Sequence, residues 1–162
     1  MRAPESESFS VHVLAEWPEL VPTVGEIRWR EWGHAPEPEH LSWWVDATAR
    51  EAGHGELPVT FVSTDSRGEA VGAVGLGAFD IEERRDRSPW LLGMVVTVER
   101  RGLGVGRLLL AQLESWAAQR GIAEIWVGTE RAAEFYRRCG WAPTETLVRR
   151  SGETMTVLNK RL

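Results

Sequence analysis

The sequence predicts a single mixed α/β domain in which helices pack against one sheet. Three observations support this fold class. The chain has 162 residues, the length of one ordinary domain. Segments that alternate apolar and polar residues, as strands do, are interspersed with segments that repeat apolar residues at helical spacing. A nearly continuous apolar stretch at residues 90–98 precedes a glycine-rich turn and an amphipathic segment at residues 104–120, which is typical of a β-α-β unit.

The first half of the chain predicts one strand, two helices and a hairpin. Residues 9–15 alternate apolar and polar side chains and indicate the strand. Two tryptophan-rich segments of helical composition follow, and Pro36 and Pro38 separate them. A tight turn at residues 65–68 then joins the two strands of the hairpin. The predicted helices cover residues 22–32 and 37–52, and the predicted hairpin strands cover residues 58–64 and 69–79.

The second half predicts the β-α-β unit, a short helix and a closing hairpin. The apolar strand at residues 90–98 has the pattern of a strand buried on both faces. The helix at residues 104–120 ends at Gly121 and places five apolar side chains on one face, namely Val105, Leu108, Leu109, Leu113 and Trp116. The remaining elements are a strand at residues 123–127, a helix at 131–139 and hairpin strands at 144–150 and 154–158.

Composition excludes several classes of protein. Hydrophobic residues make up 43% and charged residues 27%, as in soluble globular proteins, and the net charge of -5 disfavours nucleic acid as a partner. No stretch reaches the ~18 apolar residues of a membrane span, and no secretory signal is visible, so we expect a cytoplasmic protein. The single cysteine, Cys139, excludes an internal disulfide and a cysteine-only metal site. His34 and His40 lack the spacing of a metal site, so no metal is expected.

Residues 99–107 (ERRGLGVGR) form a glycine-rich turn between the apolar strand and the long helix. Glycines let a ligand approach the main chain, and the unpaired N–H groups of a helix start attract anions, phosphate most often. Arg101 and Arg107 could add charge-assisted hydrogen bonds. The turn lacks the Lys-Ser/Thr pair of a Walker A loop and the third glycine of a dinucleotide-binding fingerprint. The sequence therefore predicts a phosphate site of another kind.

Two segments resemble the GNAT superfamily of acetyl-CoA-dependent N-acetyltransferases. The segment Arg101-Gly102-Leu103-Gly104-Val105-Gly106 matches that family's Arg/Gln-x-x-Gly-x-Gly/Ala motif, and residues 132–141 (AAEFYRRCGW) look like its Ala-x-x-x-Tyr-x-x-x-Gly-Phe helix. The resemblance implies one domain over residues 1–162, with a mostly antiparallel sheet, a central splayed parallel strand pair and flanking helices. Residues 1–56 would form the acceptor side, and residues 57–162 the acetyl-CoA-binding core.

The resemblance also assigns the cofactor-binding residues. The pantetheine arm of acetyl-CoA would lie along Met94, Val95 and Val96, with a strand bulge at Gly93 and the Met94 amide bonding the thioester carbonyl. Thr129 stands where many members of the family have Asn, and would hydrogen-bond the pantetheine. The pyrophosphate would be held by the backbone amides of the glycine turn, which are those of Arg101, Gly102, Leu103, Gly104, Val105, Gly106 and Arg107.

Tyr136 matches the family's general acid, which protonates the leaving thiolate. Several members use a Glu on the central strand as general base, but Trp90 stands at that position here. Asp80 and Glu82 are therefore the candidate bases, with His34 and a water chain as alternatives. Cys139 lies at the end of its helix, where the dipole raises the pKa of a thiol, so we expect a packed residue and not a nucleophile.

The acceptor is predicted to be a primary amine of a small molecule or peptide that attacks acetyl-CoA directly. Five tryptophans in the N-terminal third would either pack in the core or form an aromatic wall for a cationic or aromatic acceptor, namely Trp17, Trp29, Trp32, Trp43 and Trp44. Alternatives are a transferase of another acyl-CoA and a non-catalytic acyl-CoA-binding or regulatory protein. A homodimer would also fit the family.

Overall fold

A computed structural model describes residues 7–34 and 38–162, and within these ranges seven strands form one mixed sheet flanked by four α-helices. The mixed α/β fold predicted from the sequence is confirmed. The strands are β1 (Ser10–Val13), β2 (Val59–Thr64), β3 (Ala70–Gly77), β4 (Trp90–Val96), β5 (Glu124–Thr129), β6 (Ala142–Val148) and β7 (Thr154–Arg161). The helices are α1 (Val21–Trp32), α2 (Leu41–Glu51), α3 (Val105–Gln119) and α4 (Ala133–Arg138).

Predicted and observed elements differ mainly at their ends. The second helix begins at Leu41, because the preceding His40 has extended backbone angles. Pro36 and the predicted helix start at residue 37 lie outside the described residues. The apolar strand ends at Val96, since Val98–Arg100 form a turn of 3-10 helix.

The sheet has the strand order β1-β2-β3-β4-β5-β7-β6 and is antiparallel except between β4 and β5. In the described structure these two parallel strands share one register pair, Trp90 opposite Trp126, next to a hydrogen bond of 3.1 Å from the Trp126 amide to the Pro89 carbonyl. Beyond this point β4 and β5 diverge. The predicted splayed parallel pair at the centre of the sheet is therefore confirmed.

A bulge interrupts β4 at the expected position. Ala73 of β3 pairs with Val95 and Gly75 pairs with Leu92, so Gly93 and Met94 together face a single residue of β3. Gly93 has a φ of +53°, a backbone conformation that favours glycine. The bulge tilts the following residues out of the ladder, which leaves Met94 half-buried and not enclosed on both faces. The predicted complete burial of this strand is wrong for that reason.

Helices cover both faces of the sheet. Phe61 and Val74 belong to the apolar cluster under α3, whereas the neighbouring Val62 and Ala73 belong to the cluster under α1, so these helices lie on opposite faces. The predicted buried face of α3 is correct for Val105, Leu109, Leu113 and Trp116, but Leu108 is exposed and Leu110 is buried instead. Both leucines lie at the margins of the apolar stripe, where helical spacing alone does not decide which one meets the sheet.

Within the described ranges, no helix is long and apolar enough to cross a membrane.

Candidate active site

A cavity of about 600 Å³ lies where β4 diverges from β5. Its walls come from the bulged part of β4, the glycine turn, the start of α3, the α4 segment and the last turn of α1. The lining residues are Glu31, Met94, Val95, Val96, Arg100, Arg101, Gly102, Gly104, Val105, Gly106, Arg107, Ala132, Glu134, Phe135 and Arg138. The structure thus brings together the predicted cofactor-binding residues of β4 and of the glycine turn.

The three glycines of the turn meet two steric requirements, a left-handed backbone and close packing against a ring. Gly102 and Gly104 have φ values of +77° and +85°, which cost other residues about 1–2 kcal/mol. Gly106 has ordinary backbone angles, but a Cβ atom there would lie 3.0 Å from the ring of Phe135. Glycine at these positions therefore lets the turn lie against the cavity without backbone strain or crowding.

The start of α3 faces this cavity with unpaired donors. The first helical hydrogen bond runs from the Leu108 amide to the Gly104 carbonyl over 3.1 Å. The amides of Val105, Gly106 and Arg107 precede it and have no intrahelical acceptor. Such a helix start binds anions through its N–H groups and its dipole.

The charges of the lining also favour an anion. Four arginines line the cavity against two glutamates, although the whole chain has a net charge of -5. This positive lining would attract phosphate groups. The arginines are Arg100, Arg101, Arg107 and Arg138.

Arg101 connects the glycine turn to the acceptor side. Its Nε donates to the Val96 carbonyl over 2.9 Å, and its Nη2 donates to Glu31 of α1 over 2.9 Å. Both side chains of this ion pair are partly exposed, so the pair adds little stability. Arg101 can therefore exchange the Glu31 carboxylate for another anion at small cost.

Tyr136 lies on α4, directly after the cavity residue Phe135. The tyrosine is buried and packs edge-on against the rings of Phe135 and Trp141, with centroids 5.2 and 5.6 Å away. It is not among the described residues that line the cavity. Burial raises the pKa of its hydroxyl, and Cys139 raises it further. The phenol thus keeps its proton at neutral pH.

Leu103 and Thr129 also lie outside the described lining of the cavity. The Leu103 side chain is exposed at the tip of the glycine turn. At the end of β5, Thr129 Oγ1 accepts a hydrogen bond of 2.9 Å from the Ala132 amide and so holds the segment that leads into α4. Their contacts with a cofactor stay predictions.

The two candidate bases have different surroundings. The Asp80 side chain is exposed and is not among the described residues that line the cavity, yet nearby protein partly desolvates its carboxyl group and raises its pKa. Arg149 lowers this pKa and Glu51 raises it, so groups from α2 and from the β6–β7 turn lie near Asp80. Glu82 instead forms an exposed ion pair of 3.0 Å with Arg85. His34 stacks beside Trp29, with centroids 5.1 Å apart.

Charged side chains fix the loop between β3 and β4. Arg84 binds Glu145 of β6 with two hydrogen bonds of 2.6 and 2.8 Å, and Arg87 adds a third of 2.8 Å. These bonds, Arg84 foremost, lower the pKa of Glu145 to about 2. Arg87 also lies over the ring of Trp126, 4.7 Å from its centroid. The loop that follows Asp80 is therefore held against β5 and β6.

Sequence reasoning missed Arg28 and Glu31 of α1. Arg28 is buried and reaches Glu51 of α2 over 3.1 Å, and Glu31 lines the cavity. Arg28 lies four residues after Val24 and next to Ile27, on the apolar stripe of its helix. That position is the signal that could have revealed a buried cation. No pattern in the sequence distinguishes Glu31 from an ordinary exposed glutamate.

The described residues contain no group of three or more His, Cys, Asp or Glu side chains that could hold a metal ion.

The fold and the site can be compared with known proteins. An aminoglycoside 6'-N-acetyltransferase complexed with coenzyme A has a similar structure, with a TM-score of 0.76 and 17% identity over 94% of this chain and 96% of that chain. An acetyltransferase of the GNAT family from Streptococcus pneumoniae has a TM-score of 0.68 and 14% identity over 96% and 100%. A variant of the spermidine N-acetyltransferase from Vibrio cholerae has a TM-score of 0.69 and 15% identity over 94% and 93%.

No curated protein sequence matches this chain. The profile of the acetyltransferase (GNAT) family matches residues 12–141, which span most of the sheet, the glycine turn and α4. The chain therefore belongs to the GNAT acetyltransferase family.

Proposed function

We propose that this protein is an N-acetyltransferase that moves the acetyl group of acetyl-CoA to a primary amine of a small molecule or peptide by direct attack. The cavity beside the β4 bulge carries the proposal, because it combines an anion-binding helix start with a bulged strand edge. The similar aminoglycoside 6'-N-acetyltransferase was solved with coenzyme A, which supports the same ligand here.

The main chain would hold most of the cofactor. The amides of the glycine turn would bind its phosphates, and the bulged strand at Met94, Val95 and Val96 would line the pantetheine arm. Arg101 and Arg107 would add positive charge, and Thr129 would contact the pantetheine from β5. When bound, acetyl-CoA supplies an activated thioester, and transfer forms a bond from the amine nitrogen to the acetyl carbon and breaks the carbon–sulfur bond.

Three groups of the chain would assist this transfer. The Met94 amide donates a hydrogen bond to the carbonyl oxygen as negative charge develops on it. Tyr136 gives its proton to the departing sulfur, in keeping with a hydroxyl that stays protonated in a buried site. Asp80 accepts the proton of the amine. We prefer Asp80 to Glu82 because desolvation raises the pKa of Asp80, whereas Glu82 is paired with Arg85 on the surface.

Aromatic side chains offer a surface for the acceptor. Trp32 and Trp44 stack with centroids 6.1 Å apart, and Trp43 packs edge-on against Trp44 at 5.1 Å. Trp32 and Trp43 are 40% and 49% exposed, and Trp32 directly follows the cavity residue Glu31 in the chain. An ammonium group bound on such rings gains cation–π attraction. The structurally similar aminoglycoside and spermidine acetyltransferases are named for amine acceptors.

Two measurements test the proposed function. Calorimetry with acetyl-CoA and with desulfo-CoA should show binding of both, and a protein that binds neither contradicts the proposal. Thiol release should then be followed over a library of primary amines, with aminoglycosides and polyamines included. Turnover with at least one amine is expected. Binding without turnover on any amine would favour a non-catalytic acyl-CoA-binding protein, and turnover only with longer acyl donors would favour another acyl-CoA.

A further inference from the structure

Arg28 of α1 is a buried cation with an incomplete set of partners. Its side chain is 3% exposed. Nη1 donates to Thr48 Oγ1 over 3.3 Å and to Glu51 Oε2 over 3.1 Å, both on α2. Glu51 is 35% exposed, so the pair connects a buried charge to one that water reaches. One side of the guanidinium is thereby satisfied.

The other side of the guanidinium is not satisfied. Nε and Nη2 are buried, and neither has a hydrogen-bond partner among the described residues. These two nitrogens form the edge that binds carboxylates and carbonyls in a bidentate manner. Buried donors without partners cost stability, and an apolar side chain of similar volume would fill the same space without that cost. A buried arginine at this position therefore calls for a role other than packing.

The unsatisfied side lies against the bulge of β4. A Cβ atom on Gly93 would be 3.0 Å from Arg28 Nε, 3.1 Å from Nη2 and 3.2 Å from Cζ. The bulge consists of Gly93 and Met94, and Met94 lines the cavity. The positive charge of Arg28 is thus next to the peptide unit that contains the Met94 amide. Glu51 offsets this charge on the side of α2, away from Gly93.

We propose that Arg28 is a positioning residue for acyl transfer, which supports the β4 bulge and adds positive potential at the Met94 amide. The proposal rests on the proposed function, in which that amide binds the thioester carbonyl. A fixed positive charge beside the donor favours negative charge on the bound oxygen, and close packing of the guanidinium on Gly93 keeps the amide in place. Arg28 is not among the described residues that line the cavity, so it acts through the strand.

The test uses Arg28→Met, which keeps much of the side-chain volume, and Arg28→Lys, which keeps the charge. Isotope-edited infrared spectroscopy of bound [1-13C]acetyl-CoA reports the polarisation of the thioester carbonyl without any need for an acceptor. We expect the carbonyl stretch to move to lower frequency on binding to the wild-type protein, to move less in Arg28→Met, and to recover in Arg28→Lys. Calorimetry should give an acetyl-CoA Kd within about twofold of wild type for each variant.

Turnover provides the second readout. With an amine identified by thiol release, kcat of Arg28→Met should fall about tenfold, and Arg28→Lys should restore most of it. Thr48→Val is the matched control, because it removes a hydrogen bond from the same Nη1 but leaves the charge. Its kcat and carbonyl frequency should equal those of wild type. The double variant Arg28→Met with Glu51→Gln should show the carbonyl frequency of Arg28→Met, a readout that needs no general base, which excludes an unpaired Glu51 as the cause.

The outcomes separate this proposal from the proposed function. Unchanged kcat and unchanged carbonyl frequency in a folded Arg28→Met variant would overturn the role of Arg28 alone. A wild-type protein that does not bind acetyl-CoA would overturn the proposed function and this role with it. If Arg28→Met does not fold, Arg28→Gln combined with Glu51→Gln keeps a neutral hydrogen-bonding pair, and the carbonyl frequency then decides.

Discussion

The glycine turn and the α1–α2 pair contribute to the same site in different ways. The turn presents main-chain amides of consecutive residues, fixed by glycine backbone angles and by a helix start. The α1–α2 pair contributes side chains that meet across long stretches of chain, such as Arg28 with Glu51 and Glu31 with Arg101. The comparison suggests that cofactor binding is fixed by local geometry, whereas acceptor binding and proton transfer depend on tertiary contacts.

The largest effect should come from Tyr136, the proposed general acid of the acetyl-CoA-binding core. Tyr136→Phe removes the hydroxyl and leaves the ring packed against Phe135 and Trp141. We expect kcat to fall about a hundredfold, since loss of a general acid costs at least that much. Calorimetry should show an unchanged Kd for acetyl-CoA. An unchanged kcat would remove Tyr136 from the mechanism.

Asp80, which follows β3, should show a catalytic effect of its own. Asp80→Asn is expected to lower kcat/KM about thirtyfold, somewhat less than the usual loss for a general base because water around the exposed Asp80 can accept part of the protons. Glu82→Gln is the matched control and should retain wild-type activity, since Glu82 is paired on the surface with Arg85. Equal losses in both variants would assign the effect to the charge of the loop.

The same carboxyl group predicts a pH dependence. A base must be ionised, and desolvation raises the pKa of Asp80 above its ordinary value of 3.8. The kcat/KM of wild type should therefore rise with pH through an inflection above that value, and Asp80→Asn should lose this inflection. A profile that is identical in the two proteins would point to another base.

The same division, between local geometry and tertiary contacts, explains how much of the site could be predicted from the sequence. The glycine turn and its strand and helix are contiguous, so spacing and resemblance together located the cavity residues of β4 and α3. The family match confirms the expected enzyme class and acetyl-CoA as its co-substrate. Arg28 could not be paired in advance with Glu51, because 23 residues separate them and nothing local indicates which helices pack together. The prediction that Leu108 is buried is wrong for a similar reason. Packing against the sheet decides which residues at the edge of a helix's apolar stripe are covered.

A stability effect of intermediate size tests the contacts that hold the loop after Asp80. Glu145 has a pKa of about 2 in the folded protein against an ordinary value of 4.5, so its ion pairs stabilise the fold fully above pH 4.5. That contribution should be lost as the pH falls from 4.5 towards 2. At neutral pH, Glu145→Gln should lower Tm by about 3 °C. Glu153→Gln, which changes an exposed residue of the same hairpin, should leave Tm unchanged, and equal losses would contradict a specific role of Glu145.

The smallest effect should come from Glu31, where α1 contacts the glycine turn through Arg101. Glu31→Gln removes the carboxylate that pairs with Arg101 in the cavity. Acetyl-CoA should bind about twofold more tightly, because its phosphates no longer have to displace the Glu31 carboxylate from Arg101. The gain is small because an exposed ion pair contributes little energy. Glu26→Gln breaks an exposed pair with Arg30 on the same helix and should not change the affinity. Weaker binding in Glu31→Gln would mean that Glu31 holds Arg101 in its binding position.

The most direct test of the central claim is calorimetric titration of acetyl-CoA into Gly102→Ala and Gly121→Ala. These glycines have nearly the same φ, +77° and +75°, and an added Cβ atom would meet no atom of the described chain within 4 Å at either position. Gly102 lines the cavity, and Gly121 follows α3 at its far end. Both substitutions should cost similar stability, but only Gly102→Ala should weaken the Kd for acetyl-CoA, by about tenfold. Equal affinities in the two variants would contradict the assignment of the glycine turn as the cofactor site.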